Sequence, residues 1–216
     1  GNGRCNLTNE KMSLDYFRSD EPQLISSVLK DFGYPDTIRF FENLGLLTKS
    51  RNGYIYPRCD QASVVRSVLD NRLKELGADI RRETTVTALF RTKKGFQIET
   101  GSGKIQADRI ILSAGGKASS KLGSDGSGYT LAKSLGHSVV PVVPALVQLK
   151  VKDFAFQKAS GVRTDAKVTA LINGRMEASD TGELQITNYG ISGIPVFQIS
   201  RYISRALYEK QNAQVM

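Results

Sequence analysis

The chain has 216 residues, 40% hydrophobic and 24% charged, an ordinary balance for a globular protein with a packed core. No apolar run approaches the ~20 residues of a bilayer-spanning helix, and Cys5 and Cys59 form no C-x-x-C pair, which points away from structural zinc and a disulfide framework and towards a reducing cytoplasm. The net charge of +9 raises nucleic-acid binding, but the cations are scattered, and the densest group, Arg91, Lys93 and Lys94, falls at a hairpin tip where solvated charge is usual.

The first segment, Gly1-Asn2-Gly3-Arg4-Cys5-Asn6-Leu7-Thr8-Asn9, is rich in turn formers and hydrogen-bonding groups. Gly1, Asn2 and Gly3 tolerate positive φ, so their N–H groups can curl round an anion, and Arg4 adds a forked cation. Cys5 lies beside Arg4, a setting that favours thiolate. So dense a segment at the first residue, without an initiator Met, reads as the interior of a longer protein cut just upstream of a ligand loop. The same residues also read as a plain polar turn.

Asp20-Glu21-Pro22 predicts a helix start, with Leu24, Ile25, Val28, Leu29 and Phe32 as a buried stripe ending at Gly33. A second helix is expected from Asp36, burying Phe40, Phe41 and Leu44 and stopping at Gly45. Leu46–Thr48 and Tyr54–Tyr56 flank Arg51-Asn52-Gly53, a hairpin signal. Asp60 is expected to cap a long helix that buries Val64, Val65, Val68, Leu69, Leu73 and Leu76 and ends at Gly77. Ala78-Asp79-Ile80 then reads as a short strand, the return half of an α/β unit.

Thr85–Arg91, Phe96–Thr100 and Lys104–Ile105 predict three strands joined by tight turns. Arg109–Ser113 is a continuous apolar run suited to a buried parallel strand, and it discharges into Ala114-Gly115-Gly116, the kind of glycine turn where α/β sheets bind ligands. The glycine-rich loop Gly123–Gly128 lacks a P-loop lysine and opens a helix ending at Gly136. His137, the single histidine, follows that end, where a structural role suits the dipole. Beyond Pro144, Ala145–Val151, Val168–Ile172, Leu184–Thr187 and Val196–Ile199 read as strands, and Arg201–Gln211 as a helix. A domain boundary is expected at Pro144, giving units 1–144 and 145–216.

The order of the motifs is more specific than any one of them. The first nine residues, Tyr56-Pro57, Leu112–Lys117, Gly123–Tyr129, Gly136-His137, Pro144–Val147, Gly182–Leu184 and Tyr189–Gly193 occur in the sequence in which they stand in one family. The chain resembles the FAD-dependent flavoproteins that include the aminoacetone oxidases and the BaiN-type NAD(P)/FAD-dependent oxidoreductases.

The resemblance implies an α/β fold, α+β overall. It consists of an incomplete Rossmann-type FAD-binding domain with a three-stranded β-meander, followed by part of an inserted, mostly β domain over the flavin. It also implies that Gly3, Arg4, Cys5 and Asn6 lie along the ribityl and pyrophosphate portion of FAD. Val86 would touch the adenosine end through its backbone, and Ala114, Gly115 and Gly116 would form the glycine turn against the cofactor. NAD(P)H is a candidate electron donor, the substrate is a small organic molecule (an amine or ketone, or a steroid-like compound), and these residues alone would be inactive and hold FAD weakly or not at all. No acid or base is assigned, and no metal is expected. Asp125, Ser127 and Ala118-Ser119-Ser120 depart from the common family pattern and weaken transfer of a particular substrate. The rival reading is a non-catalytic basic module for nucleic acid or another polyanion.

Overall fold

A computed structural model describes residues 3–216; Gly1 and Asn2, the first two residues of the opening loop, lie outside the described residues. The chain divides into two compact units, Gly1–Arg82 and Glu83–Met216.

In the first unit, strand β1 (Thr8–Asn9) is followed by helices α1 (Pro22–Asp31) and α2 (Tyr34–Asn43), strands β2 (Thr48–Arg51) and β3 (Tyr54–Pro57), and helix α3 (Ala62–Glu75). The three strands form an antiparallel sheet in the order β1-β3-β2. The hairpin forms as expected because Asn52 and Gly53 both take left-handed φ, 55° and 86°, which matches the twist of the flanking strands. Leu46, Val65 and, on β3 itself, Ile55 and Pro57 are buried.

The helix ends are set differently from the sequence expectation. The Gly33 N–H donates to the Asp36 carboxylate at 3.0 Å, so Gly33 begins α2 instead of closing α1, and Asp36 sits one turn inside the helix. The α1 stripe remains exposed at Leu24, Val28 and Phe32, and Phe40 is also exposed. An amphipathic pattern names the face that favours burial but does not supply the partner. On α3 only Val65 is fully buried, and Leu73 and Leu76 are exposed. Its end is as expected: Gly77 at φ 68° and Ala78 donate back to Lys74 and Leu73, satisfying the last carbonyls. Ala78–Ile80 is not a strand.

The second unit opens with an antiparallel meander, β4 (Val86–Thr92), β5 (Gly95–Thr100) and β6 (Gly103–Ala107), as the alternation and turns predict. Helix α4 (Ser127–Ser134) packs against β4. Arg109–Ser113 pairs with no described strand, and Ile111 is 92% exposed. A parallel strand needs a neighbour in the sheet, whereas a meander carries its own partners. Every ladder among the described residues is antiparallel.

Then come β7 (Leu149–Lys150), β8 (Arg163–Ile172), β9 (Arg175–Ile186), β10 (Gly190–Gly193), helix α5 (Ile194–Tyr208) and β11 (Ala213–Val215). Five strands pair in the order β11-β8-β9-β10-β7, and α5 lies on this sheet. The core is Leu149, Val168, Ala170, Ile191, Val196, Ile199 and Ile203. Val196–Ile199, expected as a strand, is helical. Pro195 stands in the first turn of α5, and buried Val196, Ile199, Ser200 and Ile203 recur at helical spacing. The helix expected at Arg201–Gln211 is its continuation. Ser200 Oγ donates to the Phe197 carbonyl at 2.8 Å and accepts the Val147 N–H at 3.2 Å, tying the segment before β7 to the helix. The architecture is mixed α/β.

Candidate functional site

The Gly3–Asn6 loop is anchored at both ends. The Gly3 carbonyl accepts the Ala62 N–H at 2.7 Å, at the start of α3, and the Leu7 N–H donates to the Ile55 carbonyl at 2.8 Å, within β3. Between these anchors Gly3 and Cys5 take left-handed φ, 81° and 60°. Arg4 and Asn6 are exposed, Cys5 is half-buried, and a Cβ on Gly3 would meet nothing within 4 Å. The loop therefore presents open backbone, a guanidinium and an amide on one short arc. That donor set suits an anionic ligand with hydroxyl groups.

Asp60 lies beside this arc and does not cap α3; Gln61 holds the cap position and no side chain bonds there. Asp60 takes φ 56° and turns its carboxylate towards β2. Oδ2 accepts Lys49 Nζ at 2.5 Å, with the Arg51 guanidinium at 3.6 Å. Oδ1 is buried without a hydrogen-bond partner among the described residues. The Lys49 hydrogen bond, helped by the charges of Lys49, Arg51 and Arg4 and opposed by burial, holds the carboxyl below its ordinary range.

In the second unit, the two glycine-rich segments after the meander pack on each other. The Gly126 N–H donates to the Gly116 carbonyl at 3.0 Å. A Cβ on Gly115 would lie 3.0 Å from Ser124 Oγ, one on Gly116 3.0 Å from the Tyr129 hydroxyl, and one on Gly128 3.1 Å from the Ala114 Cβ. These glycines permit loop-to-loop contact, while Ala114 and Gly115 stay exposed on the outer side. Asp125 Oδ1 accepts the Ser127 N–H at 2.9 Å, which turns the chain into α4 and, as the first cause, lowers the Asp125 pKa. Val86 is half-buried at the start of edge strand β4, next to a bulge between Val86 and Ala88.

A cleft of about 750 Å³ lies in this unit, walled by Leu89 and Phe96 of the meander, Leu112, and Tyr129, Leu135 and His137 around α4. The His137 N–H donates to the Ala132 carbonyl at 3.2 Å, the helix-end position expected of it.

The structure thus brings Gly3, Arg4, Cys5 and Asn6 together, and separately Ala114, Gly115 and Gly116. The two groups fall in different compact units. Sequence reasoning misses Asp60 and Tyr129 as site neighbours. Asp60 is hidden by its resemblance to a helix cap. Tyr129 gives no signal beyond its glycine-rich setting.

The chain matches the family described as HI0933-like protein Rossmann domain over residues 1–201. It is 57% identical over 215 residues to a 3-dehydro-bile acid delta(4,6)-reductase of Clostridium scindens, covering 100% of this chain and 53% of that protein. It is 28% identical over 210 residues to a ribosomal RNA dihydrouridine synthase of Haemophilus influenzae, covering 94% of this chain and 51% of the relative. It is 26% identical over 207 residues to the Escherichia coli protein of the same name, covering 94% and 50%. The chain spans about half the length of the curated relatives it matches. Among the described residues no helix is long and apolar enough to cross a membrane.

Proposed function

This chain belongs to the HI0933-like protein Rossmann-domain family, and on that premise we propose that it forms part of an FAD-dependent oxidoreductase that saturates a carbon–carbon double bond in a ring. The observation that carries the proposal is 57% identity, across the whole chain, to a delta(4,6)-reductase. A dihydrouridine synthase also takes its name from a product with a saturated ring bond, so the two kinds of relative support one reaction type. The higher identity favours a steroid-like substrate over RNA.

FAD supplies hydride and electron chemistry when bound. The chain's own residues bind and orient. Arg4 and the open backbone at Gly3 suit the diphosphate, with Cys5 and Asn6 continuing the arc. Val86 contributes backbone at the adenosine end, and Ala114, Gly115 and Gly116 offer their exposed side to the cofactor. Residues 1–144 serve as the FAD-binding portion, and residues 145–216 belong to a domain that shapes substrate access. The substrate double bond gains a hydride at one carbon and a proton at the other, and NAD(P)H, oxidised to NAD(P)+, is the proposed donor. The free thiols Cys5 and Cys59 suit a cytoplasmic location.

The test is made on the full-length protein containing this chain. The expected results are an oxidised-flavin absorption band, anaerobic bleaching by NADH or NADPH, and a gain of two hydrogens by a 4,6-unsaturated 3-oxo steroid, read by mass spectrometry. A colourless protein overturns the flavoenzyme reading. A coloured protein that reduces uridine in ribosomal RNA and leaves the steroid untouched overturns the substrate class alone. The polyanion-binding module is not carried forward, since the relatives named above are enzymes.

A further inference from the structure

Asp60 sits where three pieces of the first unit meet: the β2–β3 hairpin, the start of α3 and the Gly3–Asn6 loop. Its Oδ2 is held by Lys49 at 2.5 Å and Arg51 at 3.6 Å, both from β2. Two residues further on, the Ala62 N–H holds the Gly3 carbonyl at 2.7 Å. The backbone at Asp60 takes a left-handed φ of 56°, which aspartate tolerates better than most residues and which turns its side chain away from the helix-capping position. Oδ1 is buried and has no hydrogen-bond partner among the described residues. A buried carboxylate oxygen left unpaired is costly, and its natural complement is a nearby donor not already engaged. The Gly3–Ala62 hydrogen bond brings the loop that carries the exposed Arg4 to the same end of α3 as Asp60, and the Arg4 charge adds to those that lower this carboxyl.

We propose that Asp60 is a positioning residue for the cofactor loop: its unpaired Oδ1 is the acceptor that orients the Arg4 guanidinium towards the anionic part of the ligand. Lys49 and Arg51 grip the other oxygen and fix the direction in which Oδ1 points. This role rests on the FAD-binding reading and deepens it. It also makes an unusual prediction about sign. Removing the acid leaves Arg4, Lys49 and Arg51 uncompensated, so simple attraction would make an anionic cofactor bind more tightly. Loss of positioning makes it bind more weakly.

The experiment titrates FAD into the full-length apoprotein carrying wild-type sequence, Asp60→Asn, Arg4→Met or both substitutions, and records each apoprotein's melting temperature. Asp60→Asn is expected to weaken FAD roughly tenfold, the scale of one hydrogen bond to a charged group. In the Arg4→Met background the same substitution is expected to have little further effect, because Asp60 acts through Arg4. A purely structural role would lower the melting temperature and leave the two effects additive. If Asp60→Asn does not fold, Lys49→Met takes its place in the cycle, with a weakening of roughly threefold expected from loss of one of the two grips. Unchanged or tighter FAD binding in the folded variant, or an additive cycle, overturns the role of Asp60 and leaves the flavoenzyme reading standing. A wild-type protein that binds no FAD overturns both.

Discussion

Glycines stand in the two most distinctive motifs of this chain, at its opening loop and at β10, and they do opposite work. A Cβ on Gly190 would lie 2.1 Å from the Leu149 carbonyl oxygen, and one on Gly193 2.2 Å from that of Glu183, with φ at 155° and 110°. These glycines let β10 be crowded by β7 and β9. At Gly3 a Cβ would meet nothing within 4 Å among the described residues, and only the φ of 81° asks for glycine. A motif can therefore be distinctive because the fold has no room for a side chain, or because a loop must leave room for something else. Gly115 and Gly116 are intermediate, with a side-chain oxygen at 3.0 Å in each case.

The sharpest way to break this contrast is Gly190→Ala. The alanine must displace backbone at a φ that L-residues avoid, so the expected loss is more than about 3 kcal/mol of unfolding free energy, measured by chemical denaturation. A near-neutral result would mean that β10 shifts freely and that the crowding is not a constraint. Gly3→Ala is expected to cost about 1 kcal/mol, from left-handed backbone alone. Its larger consequence is weaker FAD binding in the full-length protein, read by fluorescence titration, whereas Gly190→Ala acts on folding first.

A smaller effect is confined to acid. The Asp60 carboxyl is held below its ordinary value of 3.8, so the unfolded chain takes up its proton first as pH falls. Its stabilising contribution is fully present above that ordinary value and is lost as pH drops through the folded one. Unfolding free energy between acid and neutral pH should therefore depend more steeply on pH for wild type than for Asp60→Asn; equal slopes would remove Asp60 from the acid response. Smallest of all is Gly182→Ala. The nearest atom to its Cβ, Pro195 Cδ, would be at 3.4 Å, an ordinary contact, and the expected change is within about 0.5 kcal/mol either way. A large loss there would show that the Gly182–Leu184 segment is as crowded as β10.

Much of the local structure is legible in the sequence because it is made by neighbouring residues. The Asn52-Gly53 turn, the meander of β4 to β6, and the ends of α3 and α4 at Gly77 and Gly136 all follow from short-range chemistry. What escapes depends on partners distant in sequence. Arg109–Ser113 has the composition of a buried strand but no described strand beside it. Val196–Ile199 has β-branched residues, yet Pro195 and the run of buried positions through Ile203 and Ala206 make it helical. Of the candidate site, the order of motifs identifies the loop at Gly3–Asn6, while the carboxylate beneath it passes for a cap. Aspartate before a helix has two common uses, and only the three-dimensional positions of Lys49 and Arg51 tell them apart.

The continuity of the large sheet has a kinetic consequence. From Arg163 to Tyr208, β8, β9, β10 and α5 follow one another without a detour, and Val168, Ala170, Ile191, Val196, Ile199 and Ile203 of the core all come from that stretch. Loop closure within it is short-range, so this hairpin-and-helix element is the natural nucleus for the chain to condense on. Amide protons of β8 and β9 are then the last to exchange with solvent, and those of α1, whose apolar side lies open, are among the first.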